Sequence, residues 1–119
     1  MRNILSGAVL VVSSDLTLVE CERVIIRSEK IGGVMEAQAA DLGAVLRQAA
    51  AHWHLGHLAD EILERARRPF PREPIRTMDA LHLASALLLR SAISGLTMLS
   101  LGERIRTNAL ELGFAVLPE

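Results

Sequence analysis

Short β-branched runs and longer helical periodicities alternate along this chain. Ala8-Val9-Leu10-Val11-Val12 is closed by Ser13-Ser14-Asp15, the pattern of a buried strand running into a helix start. The helix that follows is predicted from about Leu16 to Ile31, with Leu18, Cys21, Val24, Ile25 and Ser28 on one stripe and Gly32-Gly33 at its end. Glu36 to about His52 reads as a second, alanine-rich helix with Leu42, Val45, Leu46 and Ala49 at helical spacing, and Trp53 to His57 breaks it with a turn or short strand. Leu58 to Arg68 is again helical. Pro69-Phe70-Pro71-Arg72-Glu73-Pro74 carries three prolines in six positions and is the clearest loop. An apolar helix then starts near Thr77. After Gly95, Leu96 to Ser100 reads as a strand, Gly102 as a turn, Glu103 to Leu112 as a helix closed by Gly113, and Phe114 to Leu117 as a last strand. Strands alternating with helices predict an α/β fold, a parallel sheet with helices on both faces.

Length and charge narrow this further. A chain of 119 residues fits one domain, residues 1–119, with a single core. Half of it is hydrophobic, yet no uninterrupted apolar run reaches the ~18 residues of a membrane span, so no membrane partner is expected. The first residues lack a signal-peptide layout, and the expected location is cytoplasmic. The lone Cys21 cannot form an internal disulfide and is expected to be a small buried thiol. A net charge of −1 argues against a broadly basic nucleic-acid binder. Locally the balance differs: Arg65, Arg67, Arg68, Arg72 and Arg76 fall within twelve positions, countered there by Glu73 alone. Arg65, Arg68, Arg72 and Arg76 are candidate phosphate contacts; the plain alternative is a solvated helix end.

Candidate chemistry centres on Asp79, which sits in the first turn of an otherwise apolar helix. Between Leu81 and Leu89 only His82 and Ser85 are polar, so that helix should be buried. Two explanations fit its acid. With Thr77 as N-cap, Asp79 complements the helix dipole, worth about 0.3–1 kcal/mol; or it is a metal-binding carboxylate facing a cleft. Sites in parallel α/β sheets form beyond the carboxyl ends of strands, which directs attention to Glu20 and to Ser100-Leu101-Gly102-Glu103. Carboxylates converging there would suit Mg²⁺ or Mn²⁺. Glu20 has an alternative as the far end of a Thr17-x-x-Glu20 capping box, and Glu103 as a simple first-turn acid. His82, one turn after Asp79, is placed to support the carboxylate rather than to react. His52, His54 and His57 do not share a face as strand or as helix, and zinc would need more ligands.

Leu16-Thr17-Leu18-Val19-Glu20, Ile62-Leu63-Glu64-Arg65-Ala66, Arg76-Thr77-Met78-Asp79-Ala80-Leu81-His82-Leu83-Ala84 and Leu99-Ser100-Leu101-Gly102-Glu103-Arg104 occur in that order. Together they resemble the PIN-domain family, specifically VapC-type toxins of bacterial toxin–antitoxin pairs, over about Val9 to Pro118. The resemblance implies a Mg²⁺- or Mn²⁺-dependent ribonuclease in which carboxylates hold the metal beside the scissile phosphate of RNA. It aligns Glu20 with the family's second acid and Asp79 with its third, leaves His82 and Ser100 as supporting residues, and implies a cognate antitoxin protein and a homodimer as partners.

Two features depart from the family. Its first acid lies on an opening strand with a pattern like Leu-Asp-Thr-Ser, and nothing before Ala8 resembles it; a reading frame starting upstream of Met1 is one explanation. The expected fold is therefore a PIN-like sheet lacking the family's first strand, a domain incomplete at its N-terminus. That strand would lie mid-sheet, so its loss should leave the Val9 and Thr97 strands without a shared neighbour. Such a chain should dimerise, swap an element or rearrange its sheet. The place of the fourth acid is taken by Gly102. Activity is thus expected to be weakened or lost, and the alternative function is an inactive PIN-like module that binds an antitoxin or dimerises.

Overall fold

The computed structural model describes residues 4, 7, 8 and 10–119; Val9 of the opening run lies outside them. The chain is α/β, with five helices and four short parallel strands among the described residues, gathered into two compact units divided between His57 and Leu58.

In the Gly7–His57 unit, β1 (Val12–Ser14) pairs in parallel with β2 (His54–Gly56), Val12 opposite His54 and Ser14 opposite Gly56. Parallel neighbours need a crossover, here α1 (Asp15–Lys30) and α2 (Glu36–Ala50). The strand sits later than the β-branched run suggested. Ser13 and Ser14, weak strand formers, are drawn into it because the partner strand lies opposite them, a tertiary override of local propensity.

Helix α1 ends where the glycines indicated. Gly32 has φ +80°, Gly33 N–H donates to Ser28 O at 2.8 Å, and Gly32 N–H donates to Glu29 O at 3.1 Å, the paired bonds of a left-handed helix stop. The buried face of α2 is rotated from the expected one. Ala39, Gly43 and Ala50 are buried while Leu42 and Val45 are exposed, so the small-residue side faces inward.

The Leu58–Glu119 unit owns the larger core. It contains α3 (Asp60–Ala66), the proline loop, α4 (Thr77–Ala92), β3 (Thr97–Leu99), α5 (Glu103–Glu111) and β4 (Ala115–Leu117). Strands β3 and β4 are parallel, Thr97 opposite Ala115 and Leu99 opposite Leu117. Ile62, Phe70, Leu83, Ala84, Ala109, Phe114 and Val116 form the core, with Leu83 and Ala109 fully buried. Helix α4 supplies more of it than any other element, adding Ala80 and Ala86 to Leu83 and Ala84, as its apolar composition required. Among the described residues the strands form two separate ladders, β1 with β2 and β3 with β4.

Candidate active site

Helix α4 begins at Thr77, with Arg76 in extended conformation as its N-cap and no side-chain cap bond. Thr77 is therefore the first helical residue rather than the cap, and Asp79 is the third. Ala80, the next residue, is turned into the core, which leaves the Asp79 carboxylate half-buried at the helix mouth. It makes no hydrogen bond or ion pair within the described residues. His82 follows one turn later on the same side and is half-buried.

Glu20 is half-buried in the second turn of α1. Because α1 starts at Asp15 with Ser14 as N-cap, Thr17 lies inside the helix and the capping box does not form there. Beside Glu20, burial pushes the Cys21 thiol above its ordinary value, and the charges of Glu20 and Glu22 push the same way. Iodoacetamide in mildly alkaline buffer is accordingly expected to alkylate Cys21 more slowly than free cysteine. Glu20→Gln should speed the reaction; an unchanged rate would contradict the electrostatic part of the shift.

Glu20 belongs to the Gly7–His57 unit, and Asp79, His82 and Ser100 to the other. Ser100 is committed to the turn after β3. Its Oγ accepts from Gly102 N–H at 3.1 Å, its N–H donates to Leu117 O, and its carbonyl accepts from Arg106. Gly102 is the N-cap of α5 and Glu103 an exposed first-turn acid.

The arginines expected to act together are divided. Arg65 lies over the Phe70 ring at 4.1 Å and donates to Arg68 O; Arg72 donates to Glu111 at 2.8 Å. Arg68 and Arg76 line a cavity with Arg67.

Two arrangements were not anticipated. Asn108 is fully buried: its Oδ1 accepts from Arg72 N–H at 2.8 Å, and its Nδ2 donates to Arg72 O and Arg104 O. The spacing Ile105, Asn108, Ala109, Leu112 places it on the apolar stripe of α5, which was the available signal. The second is a contact of 2.7 Å between His57 Nδ1 and Asp15 Oδ2. Asp15 follows β1 and His57 follows β2, so the parallel register sets them side by side. No three or more of His, Cys, Asp and Glu cluster as a metal cage among the described residues. No helix there is long and apolar enough to cross a membrane. Compared with known proteins, the chain matches no family model and no curated sequence.

Proposed function

We propose that the chain is a VapC-like PIN-domain protein, a metal-dependent endoribonuclease in which Glu20 and Asp79 hold Mg²⁺ or Mn²⁺. The observation that carries this reading is the half-buried Asp79 carboxylate, which lies in the first turn of α4 and makes no hydrogen bond or ion pair among the described residues. The donor chemistry fits: hard oxygen ligands suit Mg²⁺, which binds through one or two carboxylates and completes its shell with waters and substrate phosphate oxygens. When bound, such an ion activates a water and neutralises phosphate charge. On this reading Asp79 presents its carboxylate from a helix anchored in the core, and Glu20 presents its own from the second turn of α1. A cognate antitoxin and a second copy of the chain are the proposed protein partners.

The test is cleavage of a generic RNA by the purified chain in Mn²⁺. Cleavage abolished by EDTA is expected; cleavage that persists in EDTA would rule out the metal-dependent reading.

A second reading is an inactive module that binds an antitoxin or dimerises, and Gly102 at the place of the family's fourth acid favours it. Gly102 can be changed without strain. Its φ is −74°, and an added Cβ would meet only Ser100 Oγ at 3.6 Å and Ile105 Cδ1 at 3.9 Å. Gly102→Asp is therefore expected to fold, with α5 stabilised by about a few tenths of a kcal/mol through better N-capping. Under the nuclease reading it should also raise Mn²⁺ affinity, and calorimetry showing no gain would favour the inactive module.

A further inference from the structure

We infer that the groove between the end of α3 and the start of α4 docks an acidic segment of a partner protein through an apolar anchor side chain. This goes beyond the nuclease reading and does not depend on it. The groove lies wholly in the Leu58–Glu119 unit and is an open cleft of about 610 Å³. That is room for one or two large side chains.

Its floor is aliphatic. Leu63, Ile75, Ala80 and Leu81 line it, and Leu63 keeps 42 % of its surface exposed. Its rim is cationic. Arg67, Arg68 and Arg76 project there, and none of these three guanidinium groups has a hydrogen-bond or ion-pair partner within the described residues. Glu73, the one acid lining the groove, is already engaged: its Oε2 accepts from Phe70 N–H at 2.8 Å and its Oε1 from Ile75 N–H at 2.9 Å. The rim therefore presents positive charge that its own acid does not pair.

Guanidinium groups bind carboxylate and phosphate alike. Two observations favour a carboxylate-bearing peptide over RNA. None of the lining residues is aromatic, so the groove offers no platform on which bases could stack. Helix α4 turns about 100° per residue, which puts Thr77, Ala80 and Leu81 on the groove side and Asp79 on the opposite side. A strand of RNA lying in the groove would thus be on the wrong face of α4 for the proposed metal site. An aliphatic floor under an arginine rim matches an amphipathic acidic segment.

The test is fluorescence anisotropy of the full chain with a labelled peptide carrying two leucines one helical turn apart among glutamates. Saturable binding is expected, weakened about tenfold or more by Arg67→Glu and likewise by Leu63→Ser. Leu63→Ser alters an exposed position, and its circular dichroism spectrum should match the parent. Exchanging the glutamates of the peptide for lysines should abolish binding, and polyuridylate should not compete. Absence of binding, or affinity indifferent to Leu63→Ser, would overturn the inference; competition by polyuridylate would assign the groove to RNA. None of these outcomes bears on Asp79, so this proposal and the nuclease reading fail separately.

Discussion

Replacing Asn108 by leucine is expected to destabilise the Leu58–Glu119 unit by about 2–4 kcal/mol. Leucine has similar bulk but no polar atoms, so the variant would leave Arg72 N–H and Arg72 O without the partners that hold the proline loop to α5. A donor or acceptor stripped of its partner costs about 1–3 kcal/mol when buried, and the two bonds affected are part-buried. Asn108→Asp should also fail, because a carboxylate keeps the acceptor for Arg72 N–H but turns negative charge toward the carbonyls of Arg72 and Arg104. Urea denaturation would show the loss as a lower midpoint at unchanged slope. A change under about 1 kcal/mol would mean that the loop is held mainly by Phe70 in the core and by Glu73 within the loop.

The largest effect on activity is expected at Asp79. Asp79→Asn keeps shape and hydrogen-bonding capacity but removes the negative charge that a metal ligand of this kind supplies. Loss of metal-derived stabilisation worth several kcal/mol corresponds to a fall of about a hundredfold or more in cleavage rate. Stability should change little. Within the described residues Asp79 has no partner to lose, and its interaction with the α4 dipole is worth about 0.3–1 kcal/mol. The two readouts distinguish a functional acid from a structural one. Initial rates in Mn²⁺, measured beside thermal unfolding, should show activity lost and folding kept; a large fall in stability at full activity would make Asp79 a helix-stabilising residue only.

Much of the local structure was legible because helix signals are local. Gly32-Gly33 and Gly113 mark helix ends, the prolines mark the loop, and the apolar run after Asp79 marks the helix that fills the core. What escaped depends on partners distant in sequence. Val12–Ser14 became a strand because His54–Gly56 lies opposite, which no β-propensity in two serines announces. On α2 the helical periodicity was sound, yet the buried face is the small one, Ala39, Gly43 and Ala50, and not the one that carries Leu42 and Val45. A Thr17 capping box needs a helix that starts at Leu18, and because α1 starts at Asp15 the box does not form. The candidate acids were legible as residue types at informative positions. The commitment of Ser100 to its turn, of Arg72 to Glu111 and of His57 to Asp15 was not, because each requires knowing which strand or helix end lies alongside.

The central proposal is that Asp79 and Glu20 are metal-binding carboxylates, and Mn²⁺ binding followed by electron paramagnetic resonance tests it most directly. Free Mn²⁺ would be titrated against the parent chain, Glu20→Gln and Asp79→Asn. Each variant should bind Mn²⁺ more weakly than the parent, because each loses the negative charge of one hard oxygen ligand. Parent-like Mn²⁺ affinity in Asp79→Asn would contradict the proposal, and in Glu20→Gln it would contradict the metal role of Glu20.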